Sequence, residues 1–156
     1  MLLQEVSMYD VIIVGGGIAG LSAALILGRC RRRVLVCDSN RPRNARSKGV
    51  HGFFSRDGTD PWELRRLGQE QLRPYPTVEL LPCVVTDAVC HPGSFEIILE
   101  DGQRFLSRLL LLATGIVDHL PQIDGLLEFY GRSVFHCPYC DGWENRDQPL
   151  AVYGRG

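Results

Sequence analysis

The sequence has no excess of either charge: 17 Lys and Arg stand against 18 Asp and Glu, a net charge of -1. That balance removes the electrostatic footprint of a protein built to hold a polyanion or an anionic bilayer, so neither nucleic acid nor membrane is expected as a partner. A regular cysteine framework is also missing. Of six cysteines, only Cys137 and Cys140 stand at a spacing that implies chemistry. Cys30, Cys37, Cys83 and Cys90 read as small buried hydrophobes. With no basic, apolar leader and no disulfide framework, a reducing cytoplasm is the expected compartment. Short-period repeats and low-complexity stretches are absent. Val11 to Gly28 is an uncharged run long enough to suggest a membrane span, but it contains three consecutive glycines and follows Glu5 and Asp10 rather than a basic flank. A strand, a turn and a helix fit it better.

What is present is the composition of a globular chain, 45% hydrophobic and 22% charged over 156 residues, enough for one domain or for one domain and part of another. The β-branched run Val11 to Val14 ends in glycines. Leu21, Ala24, Leu25 and Leu27 then follow at helical spacing, with Gly28 expected to stop the helix. Val34 to Val36 form a second short apolar strand, so the first 38 residues read as a β-α-β unit with parallel strands. Asn40 to Ser55 reads as a loop. Pro61, with Thr59 and Asp60 as cap candidates, opens a helix expected to reach Leu72, and Pro74 and Pro76 end it. The pattern then alternates in Val84 to Val89 and Phe95 to Glu100, with Asp101-Gly102 as a two-residue hairpin signal. Leu109 to Ala113 looks like a strand buried on both faces, running into Thr114-Gly115. Pro121 marks a linker, and Leu150 to Tyr153 reads as one more strand before Gly154-x-Gly156. The fold class is therefore α/β, Rossmann-like, with residues 1–120 as one domain and 121–156 as the beginning of a second.

Gly15-x-Gly17-x-x-Gly20 lies between a predicted strand and a predicted helix, the context in which a glycine pattern becomes a dinucleotide signal. Gly15 permits the turn, Gly17 lets backbone approach a pyrophosphate, and Gly20 lets helix and strand pack closely. The helix N-terminus, with Ile18 and Ala19, offers free N–H groups to the phosphates. Asp38 comes 18 residues after Gly20, at the end of the second strand, where a carboxylate accepts hydrogen bonds from a ribose diol. The arginines at 41, 43 and 46 read as a solvated face near a phosphate ligand, with Ser39, Arg43 and Asn44 as candidate contacts.

Cys137-Pro138-Tyr139-Cys140 precedes Asp141 and Gly142. Two intervening residues let the sulfurs close a small-loop disulfide, and a nearby dipole or charge can lower one thiol's pKa so that it attacks as thiolate. Asp141 is placed to supply or take the proton. A zinc site would need four ligands, and no second Cys pair or His pair stands nearby, so no metal is expected. His136 receives no fixed role.

The order of glycine fingerprint, β-meander, Ala113-Thr114-Gly115, linker, Cys-Pro-Tyr-Cys-Asp-Gly and a second Gly-x-Gly resembles low-molecular-weight thioredoxin reductase over nearly the whole chain. The resemblance implies an FAD-dependent disulfide oxidoreductase of the pyridine nucleotide-disulfide class. Ala113, Thr114 and Gly115 would line the FAD site, and Val85 would lie beside the adenine. Cys140 would face the flavin, Cys137 would exchange with substrate, and Asp141 would carry the proton. NADPH or NADH would supply electrons, a thioredoxin-like protein or a small-molecule disulfide or dithiol would be the partner, and the complete enzyme would be a homodimer. By the same resemblance the chain stops at the start of the NAD(P)H fingerprint and would be inactive alone. His136 and Trp143-Glu144 look more like a branch that also resembles flavin-dependent dithiol oxidases. A non-catalytic FAD-binding chain, or one that pairs with a second copy, is the reading of another class.

Overall fold

A computed structural model describes residues 8–154; Glu5 and the terminal Arg155 and Gly156 lie outside the described residues. The chain forms two compact units. One is built from the residues up to Ala45 together with Trp62–Asp118, the other from Arg46–Pro61 and the residues after Asp118.

The first unit is organised by β1 (Tyr9–Val14), whose apolar side chains can be buried on both faces because both of its edges are hydrogen-bonded. It pairs in parallel with β2 (Val34–Asp38) on one side and with β6 (Arg104–Leu112) on the other. β3 (Val78–Pro82) extends the parallel part beyond β2. β4 (Val85–His91) and β5 (Ser94–Leu99) add antiparallel strands beyond β6, giving the order β3-β2-β1-β6-β5-β4. β6 serves both parts. Its first half pairs with β5 and its second half with β1, so the meander and the parallel sheet share one strand. This is a mixed sheet with Rossmann-like topology.

Two apolar clusters hold the unit together. Val11, Ile13, Val34 and Val36 pack with Leu21 and Ala24 of α1 (Ile18–Arg29) and with Leu72. Across the sheet, Ile12, Leu35 and Cys37 pack with Ile97 and Leu99 of the meander. The alternation in Phe95 to Leu99 points Ile97 and Leu99 inward, as the period of a half-buried strand requires.

Several elements differ from the sequence expectation. Gly28 does not end α1, which runs to Arg29. It is buried, and a β-carbon there would lie 2.7 Å from Val78 Cγ2, so this glycine serves close packing and not termination. The helix is closed instead by Arg31 in the left-handed region, φ 57. α2 (Pro61–Glu70) ends two residues before the expected Leu72, with hydrogen-bonded turns carrying the chain on to Tyr75. β3 escaped detection because it is short, bounded by prolines and only partly apolar. The Pro92-Gly93 turn between β4 and β5 was missed as well. The loop around Asp101-Gly102 holds three residues, since Leu99 N–H donates to Gln103 and Gly102 takes φ +84. β6 is not buried on both faces along its length: Leu109 and Leu112, which point to opposite faces, are 61% and 69% exposed, while Leu110 and Leu111 between them pack on the two apolar clusters. Cys37 is buried and Cys83 half-buried, whereas Cys30 and Cys90 are exposed. Cys30 sits at the helix end, and Cys90 lies on the edge strand β4.

The second unit contains α3 (Leu126–Phe129) and α4 (Pro138–Asp141), with isolated bridges Val50 to Thr59 and Tyr130 to Val134. Residues 151–153 form no strand, and Val152 is almost fully exposed; among the described residues no partner strand pairs with them. No described helix is long and apolar enough to cross a membrane.

Ile13 is fully buried at the centre of the first cluster. Ile13→Ala is expected to lose about 2–5 kcal/mol of stability, read as a lower urea midpoint at unchanged slope.

Candidate functional site

In the first unit the glycine fingerprint lies where the C-terminal ends of β1, β2 and β6 meet. Gly15 N–H donates to Cys37 at 2.8 Å, and Ala113 N–H donates to Val14 at 2.8 Å. Gly15 takes φ +112, and a β-carbon on it would run into the Ala113 carbonyl. One on Gly20 would run into the Gly15 carbonyl. A β-carbon on Gly16 would lie 2.7 Å from the Asp38 carboxylate. Gly17 differs from all three: its β-carbon would meet nothing within 4 Å. The glycines thus let strand, helix and acid close on one another while one face of the loop stays open.

That open face is the N-terminus of α1. Gly17 is the N-cap and no side chain caps it, so the first-turn N–H groups, those of Ile18, Ala19 and Gly20 among them, are left to an external acceptor. Asp38 stands beside them at the end of β2. The residues therefore suit a ligand with an anionic pyrophosphate and an adjacent diol.

Asp38 is not held by the strand alone. Arg65 of α2, 6% exposed, pairs with Asp38 Oδ2, donates from Nη1 to Asn40 Oδ1 at 2.8 Å, and reaches the Gly16 carbonyl at 3.4 Å. Asn40 N–H donates to Asp38 Oδ1 at 3.3 Å. One guanidinium thus ties the glycine loop, the acid and the loop after β2 together. The sequence reading overlooked Arg65. The signal was its position on the line Pro61, Arg65, Gly68 and Leu72, the spacing of a helix face turned inward, whereas Arg66 is exposed and pairs with Glu63 and Glu70. A cavity of about 340 Å³ opens beside this cluster, with Gly16, Asp38, Asn40, Gln69 and Pro82 in its wall.

The remaining predicted residues lie at the same strand ends or in the loop after β2. Thr114 and Gly115, the latter at φ +69, follow β6. Val85 begins β4 and packs on the second apolar cluster. Ser39 and Asn44 are exposed. Arg43 is turned to Asp118, gripping its carboxylate with Nε at 2.8 Å and Nη2 at 2.6 Å.

In the second unit Cys137 and Cys140 form a disulfide across the first turn of α4, with Cα atoms 5.3 Å apart. Cys137 is the N-cap, and Pro138 takes the first helical position, where its missing N–H costs nothing. The turn closes through Gly142 N–H to the Pro138 carbonyl at 3.0 Å and Asn145 Nδ2 to the Asp141 carbonyl at 2.8 Å. Cys140 and its neighbour Tyr139 are exposed, and Cys137 is half-buried. Burial raises the Asp141 carboxyl above the usual aspartate range, aided by Glu144 and opposed by His51 and His136. His136 Nδ1 lies 2.8 Å from the Tyr130 hydroxyl, with the two rings stacked. Among the described residues no His, Cys, Asp and Glu cluster could hold a metal.

Residues 9–156 match the family model described as pyridine nucleotide-disulphide oxidoreductase. The chain belongs to that family. Within it, the chain is 37% identical over 152 residues to a protein named "Probable thioredoxin reductase" from Arthroderma benhamiae, covering 94% of this chain and 38% of that one. It is 37% identical to a thioredoxin reductase of Claviceps purpurea, covering 96% and 48%. The crystal structure of an oxidoreductase from Agrobacterium tumefaciens superposes with a TM-score of 0.86 at 44% identity, covering 90% of this chain and 48% of the other. This member of the pyridine nucleotide-disulphide oxidoreductases therefore spans less than half the length of each of these relatives.

Breaking the buried pair tests how the acid is held. Arg65→Met is expected to cost about 3 kcal/mol by leaving Asp38 without its partner. Arg65→Met combined with Asp38→Asn should recover part of that loss, measured as melting temperatures of the two variants.

Proposed function

We propose that this chain is the FAD-binding part of a thioredoxin reductase-like flavoenzyme in which electrons pass between NADPH or NADH, FAD and the Cys137–Cys140 disulfide, and from there to a disulfide substrate. The observation that carries the proposal is the uncapped N-terminus of α1 beside Asp38, reached through a glycine loop whose one uncrowded position, Gly17, faces outward. The N–H groups of the first turn of α1 would hold the pyrophosphate, and Asp38 would accept from the adenosine ribose diol. Thr114, Gly115 and Val85 line the remainder of the site, with residues 1–120 as the FAD-binding domain and 121–156 as the start of the NAD(P)H-binding domain.

When bound there, FAD supplies a two-electron carrier. The residues of the chain do the rest. The short α4 turn holds both sulfurs in bonding range before and after reduction, so the pair closes or opens without moving its backbone far. Asp141, whose carboxyl burial raises above the ordinary aspartate range, delivers a proton to the thiolate released when the disulfide opens and takes it back when the disulfide re-forms. Cys137 exchanges with substrate and Cys140 with the flavin. The exposure of Tyr139, beside Cys137 in the motif, suits a partner that must reach it from solvent, either a thioredoxin-like protein or a small-molecule disulfide or dithiol. A homodimer in the cytoplasm is the setting proposed for the whole enzyme.

The visible absorption spectrum tests this reading. Mixed with FAD and freed of excess by gel filtration, the purified chain is expected to carry a protein-bound flavin spectrum that bleaches when dithiothreitol is added anaerobically. Failure to bind FAD at high micromolar concentration would overturn the assignment of the glycine loop. Binding without bleaching would leave the loop assigned and overturn the link between the cysteine pair and the flavin.

A further inference from the structure

Opening the Cys137–Cys140 disulfide consumes protons, and Asp141 can donate only one before it must be refilled. The surroundings of Asp141 within the second unit identify a source. A cavity of about 190 Å³ is walled by Asp141, Glu144, His51, Lys48, Arg132 and Asn145. It is lined by several polar side chains and is several water volumes in size, so water can fill it and link those groups. His51 is half-buried there, with Nδ1 3.3 Å from Glu144 Oε1 and 3.9 Å from Asp57 Oδ1. Its position is built rather than incidental. Val50 N–H donates to Thr59 at 2.8 Å, Gly52 N–H donates to Asp57 Oδ1 at 2.7 Å, and a β-carbon on Gly49 would lie 3.2 Å from His51 Nε2. The loop backbone therefore wraps the ring and fixes its anchor, Asp57.

We propose that His51 is the positioning and relay residue that reprotonates Asp141 during the redox cycle of the cysteine pair, with Glu144 and Asp57 orienting its Nδ1–H and Nε2 exchanging the proton through the cavity. This rests on the reading of Cys137–Cys140 as a redox pair. The charged groups facing the relay are Asp57 on its own loop, Glu144 and Asp141 from α4 and the turn after it, and Lys48 and Arg132 at the cavity wall; His136 acts on Asp141 from the segment before α4. Imidazole suits the role because one ring nitrogen can give up a proton while the other takes one.

The step can be followed without flavin. A dithiol such as dithiothreitol opens the pair by two exchanges: one of its thiolates attacks a cysteine sulfur and the Cys137–Cys140 bond breaks. Its second thiol, as thiolate, then breaks the mixed disulfide and closes a ring. The dithiol loses two electrons and two protons, and the cysteine pair gains both. The first thiolate released in the protein takes its proton from Asp141, which regains one from His51.

The test is the rate of dithiothreitol opening of the pair in the purified chain, followed from pH 5 to 9 by alkylation and mass measurement and corrected for the thiolate fraction of the reagent. The wild-type rate is expected to exceed that of each relay variant. His51→Gln should slow opening about 10-fold at pH 6, and added imidazole should restore most of the rate in His51→Ala. Asp141→Asn should slow opening as much, and adding His51→Gln to it should cost nothing more. A His51→Gln profile like the wild type, a wild-type rate in Asp141→Asn, or an additive double variant would overturn the relay. A wild-type disulfide that does not open at all would instead overturn the redox reading beneath it.

Discussion

The glycine-loop edge of this protein depends on how closely its first helix approaches its first strand. The distance is set by backbone meeting backbone: the missing β-carbon of Gly20 leaves room for the Gly15 carbonyl, and that of Gly15 leaves room for the Ala113 carbonyl. Only with both gone can α1 begin directly above the ends of β1 and β6, and only then do its unpaired N–H groups point over the sheet edge. Much else follows from that approach. Asp38 can come within 2.7 Å of where a Gly16 β-carbon would be, and Arg65 can reach the acid and the Gly16 carbonyl with one guanidinium.

Electrostatics in the two units follow a common pattern on different scales. In the first unit a buried cation holds the acid beside the open helix N-terminus, and the pairing keeps that acid oriented where burial would otherwise penalise its charge. In the second, burial pushes Asp141 toward its protonated form while His51 and His136 pull the other way, leaving a carboxyl suited to giving up a proton and regaining it. Different surroundings thus bias one residue type in opposite directions.

Much of the fold was legible in the sequence because its strongest signals are local. A β-branched run into glycines, a helix period and a second apolar run define a β-α-β unit with few alternatives, and the alternation at Phe95, Ile97 and Leu99 marks the meander. What was not legible depends on partners distant in sequence. β3 is a strand because β2 offers it an edge, and its own composition says little. Gly28 resembles a helix stop until Val78 and Tyr75 are seen pressed against it. Leu109 and Leu112 sit in an unbroken apolar run, yet whether a face of β6 is covered cannot be read from the strand itself. At the candidate sites the pattern repeats: Gly15, Gly17, Gly20, Asp38, Cys137, Cys140 and Asp141 were marked by spacing. Arg65 and His51 were not, since each gains meaning from an acid brought near by folding.

Gly17 offers the most direct measurement of the central claim, that the glycine loop is shaped for a ligand and not only for packing. Its φ of -77° and ψ of -174° are open to any residue, its β-carbon would touch nothing, and an aspartate N-cap ordinarily strengthens a helix by about a few tenths of a kcal/mol over glycine. Gly17→Asp should therefore melt at or above the wild-type temperature while losing FAD binding by equilibrium dialysis, because the carboxylate takes the N–H groups and repels the pyrophosphate. A variant that binds FAD as the wild type does would contradict the account, and so would one that unfolds.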